Sequence, residues 1–289
     1  MSHLPGAETA PHGKDKVTST GLKTRKLTGE KITALTAFDC LGAAIVEEAG
    51  VDLVLVGDSL ANTSLGYETT LPVSMDEMLS AVRAARRGTH RAMLVADMPF
   101  GSYQVSIEDA LANAVAFLKA GAEAVKLEGG AARAPLVTEL ATNGIPVMGH
   151  IGLTPQSVHA MGGYKVQGKV EEDARRLLDD ALALEQAGVF SLVLEGMPSE
   201  LAARITGTLE IPTIGIGAGA GCDGQILVFS DLLGLSTGQK PKFVRKYADL
   251  RSAAIEAVRS YCRDVRDGDF PSASETYGKI PEKRAENQA

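Results

Sequence analysis

The sequence predicts an α/β fold, a single (β/α)8 barrel of the TIM type, and three observations predict it. The phrase Ala-Gly, a strand-like apolar run and an acid occurs three times, as AGVDLVLVGD from Ala49, AGAEAVKLEG from Ala120 and AGVFSLVLEG from Ala187. In each copy a glycine stops a helical pattern, a β-branched run follows, and Asp58, Glu128 or Glu195 stands at the run's carboxyl end. Apolar runs and helical periodicities also alternate along the chain, as parallel strands joined by crossover helices require. Finally, 289 residues fit one barrel of roughly 250 residues, the largest common single-domain solution. In such a ring the strand carboxyl ends converge on one mouth, so carboxylates placed there meet in space.

Taken in order, runs rich in Ile, Val or Leu predict strands beginning near Ile32, Leu53, Ala92, Ala124, Ile145, Phe190, Ile211 and Gln225. Helical spacing predicts helices over 43–49, 74–87, 107–120, 132–143, 171–187 and 199–208, several ending in a glycine suited to a left-handed cap. The interval between the last two strands is too short for a full helix. Residues 242–265 then read as a closing helix, with Phe243, Tyr247, Leu250, Ala254 and Val258 on one apolar stripe. Residues 1–30 are polar and carry Pro5, Gly6, Pro11, Gly13 and Gly21, while 267–289 mix Pro271 and Pro281 with many charges. Both compositions suit mobile tails, leaving 31–266 as the catalytic barrel.

A formal charge of −7 argues against a nucleic-acid partner, which needs a basic face, and leaves small-molecule substrates. The three cysteines, Cys40, Cys222 and Cys262, are odd in number and irregular in spacing, so neither a disulfide framework nor a cysteine zinc site is expected. No signal-peptide pattern and no membrane-spanning apolar stretch is found. The expectation is a soluble protein of the reducing cytoplasm.

The strand ends carry Asp39, Asp58 with Ser59, Asp97, Lys126 with Glu128, His150 and Glu195. Singly, each has an ordinary reading as a helix cap, a salt bridge or a satisfied core histidine. Six consecutive strands each offering one point instead to a site, because charges are seldom buried without purpose or partner. Asp58, Asp97 and Glu128 offer only oxygen, which suits a hard cation such as Mg²⁺ better than zinc. Lys126 and Glu128 are two apart on one strand, so both side chains point to the same face, which must be the barrel interior if Glu128 reaches the metal; the lysine then lies beside an anion site. Glu195 stands two strands beyond the metal candidates, where a general base could reach the substrate.

The run GIGAGAG from Gly215 has the look of a phosphate loop. A dinucleotide fingerprint needs a helix directly after its glycines, whereas the run from Cys222 leads into another strand. Close backbone approach at the mouth accounts for it better, with phosphate binding as the alternative.

The chain resembles the ketopantoate hydroxymethyltransferase (3-methyl-2-oxobutanoate hydroxymethyltransferase) family from about Lys31 to Ala248. The likeness is carried by LTAFD at Leu35, LVGDSLA at Leu55, GYETTLPVSMDEM at Gly66, VADMPFGSY at Val95, AVKLEGG at Ala124, PVMGHIGLTPQS at Pro146, GGYKVQGK at Gly162, IPTIGIGAG at Ile211, CDGQILV at Cys222 and PKFVRKYA at Pro241. The resemblance implies Mg²⁺-dependent transfer of a hydroxymethyl group from 5,10-methylenetetrahydrofolate to 3-methyl-2-oxobutanoate. The products would be 2-dehydropantoate and tetrahydrofolate, on the way to pantothenate. It also implies a homo-oligomer, a decamer in family members. Carried over by residue, Asp58 and Asp97 match the direct Mg²⁺ ligands and Glu128 an outer ligand. Asp58, Ser59, Asp97 and Lys126 match the 2-oxoacid site, Glu195 the proton acceptor, and His150 a further site position. The chain departs from the pattern at Phe38, where a tyrosine is expected, and after Glu195, where Gly-Met-Pro follows. Two other readings stand beside it. One is a Mg²⁺-dependent 2-oxoacid lyase or mutase of the isocitrate lyase type, whose KKCGH-like lid motif the sequence lacks; the other is a barrel that assembles or binds without turnover.

Overall fold

The computed structural model describes residues 15–237 and 241–278. Eight parallel strands close into a barrel in chain order: β1 (Ile32–Thr36), β2 (Leu53–Val56), β3 (Met93–Asp97), β4 (Ala124–Glu128), β5 (Val147–Gly152), β6 (Ser191–Glu195), β7 (Thr213–Ile216) and β8 (Gly224–Leu227). Pairing of β1 with both β2 and β8 seals the ring.

Side chains alternate across each strand. Ile32, Ala34, Leu53, Leu55, Met93, Val95, Ala124, Met148, Val193, Ile214 and Ile226 form the inner cluster. The opposite faces, among them Val54, Leu94, Val125, Leu127 and Leu192, pack beneath the helices in the larger outer cluster. Burial on both faces is why these strands read as continuous apolar runs rather than as an alternation. Continuing the inner series by two residues turns it polar: Met93 and Val95 lead to Asp97, Ala124 to Lys126 and Glu128, Met148 to His150, and Val193 to Glu195. The period of two therefore delivers an apolar plug below and a charged layer above.

The helices are α1 (Ser19–Thr28), α2 (Cys40–Glu48), α3 (Met75–Gly88), α4 (Ile107–Ala120), α5 (Ala134–Thr142), α6 (Glu171–Ala187), α7 (Ser199–Thr208), the single-turn α8 (Phe229–Leu232) and α9 (Leu250–Asp267). Gly121 and Gly188, the glycines of two of the repeated phrases, cap α4 and α6 at φ of +109° and +103°, a region glycine enters without a Cβ clash. No helix among the described residues is long and apolar enough to cross a membrane.

Two expectations need correction. Within the span expected to be a mobile amino-terminal tail, Ser19–Thr28 is the helix α1, capped by Thr18, which accepts the Gly21 N–H at 3.1 Å. Its Leu22 is fully buried against the inner barrel cluster. Arg25 pairs with Asp52 at 2.8 Å and Lys26 with Asp223 at 2.8 Å. The helix thus closes the amino-terminal end of the barrel; polar composition hid it because a plug needs only one apolar side chain when its rim is held by ion pairs. Residues 1–14 and 279–289, the outermost parts of the expected tails, lie outside the described residues.

The closing helix expected over 242–265 begins only at Leu250, where Asp249 caps it through the Ser252 N–H. Phe243 and Tyr247 lie ahead of it in irregular chain, and no residue of α9 is buried. Its apolar stripe includes Val258, and with Tyr261 and Val265 it stands exposed.

Candidate active site

Asp97 and Lys126 are register partners on β3 and β4, which puts the ammonium against the carboxylate: Lys126 Nζ lies 2.7 Å from Asp97 Oδ1 and 2.8 Å from Oδ2. Asp58, just past β2, turns its backbone N–H onto Asp97 Oδ2 at 3.0 Å. Glu128 and His150 are register partners on β4 and β5, with His150 Nδ1 3.4 Å from Glu128 Oε1. His150 Nε2 lies 3.3 Å from Glu195 Oε2 on the other side. Both imidazole contacts are at ion-pair distance without hydrogen-bond alignment. The structure thus brings Asp58, Asp97, Lys126, Glu128, His150 and Glu195 to one mouth, where they line a cavity of about 1020 Å³ together with Ser59.

Asp39 is not one of them. Its carboxylate accepts the Gly42 N–H at 2.7 Å and caps α2, the ordinary use of an acid after a strand.

The electrostatics are those of an acidic chamber. Asp58, Asp97, Lys126, Glu128 and His150 each expose 5% or less of their surface, so the charges are felt at short range and low dielectric. Burial pushes the Asp58 carboxyl well above its usual range, and the neighbouring Asp97 charge adds to the rise. Burial would lower Lys126, but Asp97, Glu128 and Asp58 more than reverse it, so the ammonium is held. His150 is likewise disfavoured as a cation by burial and yet raised to about 9 by Glu128 and Glu195. Glu128, despite burial, is lowered by its contact with His150.

Two cations therefore face four carboxyl groups, and burial together with the Asp97 charge disfavours the ionised form of Asp58. An added dication would balance it, and the donors near Asp58 and Asp97 are oxygens, which fits a hard metal. Glu128 Oε1 is moreover buried without a hydrogen bond. Among the described residues no three His, Cys, Asp or Glu side chains converge closely enough to hold a metal alone.

Two residues escaped the sequence reading. Gln156 donates from Nε2 to Asp58 Oδ2 at 3.0 Å, and from its backbone N–H to Glu128 Oε2 at 3.0 Å. Tyr103 Oη donates to Gln156 Oε1 at 2.7 Å and accepts the Glu128 N–H at 3.1 Å. Both lie inside sequence blocks quoted above, but a neutral amide or phenol in a loop carries no spacing signal. The glycine run after β7 shows the close approach expected of it: Gly217, at φ +61°, lies where a Cβ would come 2.6 Å from the Phe243 ring.

A family model described as ketopantoate hydroxymethyltransferase matches residues 16–273. The 3-methyl-2-oxobutanoate hydroxymethyltransferase of Carboxydothermus hydrogenoformans is 56% identical over 269 residues, covering 93% of this chain and 98% of that protein. The protein of the same name from Frankia alni is 53% identical over 272 residues, covering 94% and 89%. Among solved structures, a phosphonopyruvate hydrolase superposes with a TM-score of 0.57 at 17% identity, over 89% of this chain and 92% of that one. A 2,3-dimethylmalate lyase gives 0.55 at 14% identity, over 90% and 91%. At such identities these two show the shared barrel fold.

Proposed function

From the premise that the chain belongs to the ketopantoate hydroxymethyltransferase family, we propose how the residues at its barrel mouth divide the work. The protein is a hydroxymethyltransferase that acts on 3-methyl-2-oxobutanoate to give 2-dehydropantoate. The one-carbon donor is 5,10-methylenetetrahydrofolate and the metal is Mg²⁺, with Asp58 and Asp97 as direct ligands and Glu128 reached through water. When bound, Mg²⁺ supplies a Lewis acid that stabilises negative charge on the keto oxygen.

Asp58, Ser59, Asp97 and Lys126 hold the 2-oxoacid. The Lys126 ammonium, kept protonated by Asp97, offsets the substrate carboxylate. Glu195, partly exposed on the cavity wall, takes the C3 proton, and the resulting enolate carbon forms the new bond to the donor's one-carbon unit; both bonds of that unit to the folate nitrogens break, the nitrogens regain one proton from C3 and one from water, and the hydroxyl of that water completes the hydroxymethyl group. His150, between Glu128 and Glu195, orients the base.

The observation that carries this reading is the meeting of Glu195 with the Asp58, Asp97 and Lys126 group at one mouth. Purified protein given 3-methyl-2-oxobutanoate, 5,10-methylenetetrahydrofolate and Mg²⁺ is expected to form 2-dehydropantoate, to stop on chelation and to resume when Mg²⁺ returns. Cleavage of a 2-oxoacid without folate would favour the lyase reading instead.

The same reading takes the protein to be cytoplasmic, in keeping with three unpaired cysteines, and a homo-oligomer, decameric by its resemblance. The exposed Val258, Tyr261 and Val265 of α9 supply apolar surface for a second copy to cover, and light scattering of the purified protein tests it.

A further inference from the structure

We propose that Gln156 and Tyr103 are positioning residues that fix which oxygen of Asp58 is presented to a divalent cation; the inference rests on the reading of Asp58 as a ligand of that cation. Both side chains are buried, at 5% and 3% exposure, and neither titrates near neutrality in this setting: the phenol is pushed upward by burial and by Glu128. Their hydrogen bonds run in one direction. The Glu128 backbone N–H donates to Tyr103 Oη at 3.1 Å. The phenol proton then goes to Gln156 Oε1 at 2.7 Å, in preference to the Glu128 carbonyl at 3.4 Å. Gln104 Nε2 donates to the same Oε1 at 3.3 Å.

With Oε1 fixed as an acceptor, the amide cannot flip. Its two N–H bonds meet two acceptors, Asp58 Oδ2 and the Met98 carbonyl, each at 3.0 Å. Every polar group of the Gln156 side chain is thus used. Among the described residues, Oδ2 is the Asp58 side-chain oxygen that carries a hydrogen bond, which leaves Oδ1 for the metal. The Gln156 backbone N–H meanwhile holds Glu128 Oε2 at 3.0 Å, so one residue steadies two carboxylates.

A neutral amide suits this place. A lysine or arginine would add positive charge beside a dication, and a glutamate would lack the donor. Tyr103 acts at one remove: it sets the amide, and the amide sets Asp58.

Calorimetric Mg²⁺ titration of the full chain, Tyr103→Phe, Gln156→Met and the double variant tests this. Gln156→Met is expected to weaken Mg²⁺ by about tenfold, the worth of one hydrogen bond to a charged group. Tyr103→Phe should weaken it by about threefold or more, and the double variant should bind no worse than Gln156→Met, because the two act in series. Raised Mg²⁺ should restore kcat in both single variants, a recovery that a merely structural loss would not give, while melting in chelator should fall because buried partners are left unpaired. Full Mg²⁺ affinity in Tyr103→Phe, or additive losses in the double variant, overturns the inference. If Gln156→Met fails to fold, Tyr103→Phe alone decides on the same criterion. A parent protein that binds no Mg²⁺ overturns the metal reading itself, a result distinct from failure of the relay.

Discussion

His150 Nε2 lies 3.3 Å from Glu195 Oε2, and the same ring reaches Glu128 Oε1 with Nδ1 at 3.4 Å. One imidazole therefore joins the carboxylate assigned to proton removal to a carboxylate beside the metal candidates. Its cationic form persists to about 9 because these two acids outweigh the cost of burial.

Glu195→Gln keeps the shape of the side chain but cannot take a proton. The variant is expected to bind Mg²⁺ and 3-methyl-2-oxobutanoate while losing both turnover and exchange of the C3 proton with deuterium, by about 10²-fold or more. NMR without folate reads the exchange. Exchange at the parent rate would move the role of base to another group.

Lys126 holds both oxygens of Asp97 and lines the cavity. Lys126→Met should raise KM for the 2-oxoacid by about tenfold or more while changing the folate KM little, since charge-assisted contacts to a carboxylate are local. Equal damage to both substrates in steady-state kinetics would refute that role.

Asp58→Ala and Asp97→Ala should each abolish measurable Mg²⁺ binding, whereas Glu128→Gln should weaken it by only about tenfold, as expected for a contact through water. Calorimetry orders the three. Full affinity in Asp58→Ala would remove that residue from the metal site.

Leu22 is wholly buried inside the barrel end. Leu22→Ala should cost about 2–5 kcal/mol, the range for emptying a core leucine site, and lower the melting temperature accordingly. An unchanged melting curve would mean that α1 does not plug the barrel.

Asp52 lies under Arg25 at 2.8 Å and accepts the Thr33 N–H and hydroxyl at 3.0 and 2.8 Å. Burial alone would raise its carboxyl; Thr33, Arg25 and Arg91 reverse this and hold it below the usual value. A depressed carboxyl stabilises the fold above its unfolded value of about 3.9, and that stability is lost as pH falls through the folded value. Asp52→Asn should therefore cost about 1–3 kcal/mol near neutrality and progressively less below about pH 4. Urea unfolding across this range checks it; a cost that grows on acidification would contradict the sign.

The sequence by itself determined the barrel, because its information is local. Apolar runs mark strands buried on both faces, glycines end helices, and a period of two puts Lys126 and Glu128 on the same face. From the order of strands alone, Asp58, Asp97, His150 and Glu195 could be sent to a common mouth. What the tertiary structure decided is which polar groups actually touch. Asp39 turned to cap α2, α1 became a plug where composition suggested a tail, and α9 was left exposed. Gln156 meets Asp58 across 98 residues and Tyr103 across 53. Hydrogen bonds are directional and short, so their partners depend on where distant loops come to rest. Neutral side chains announce no such destination, whereas burial of apolar surface is nondirectional and can be read from pattern alone.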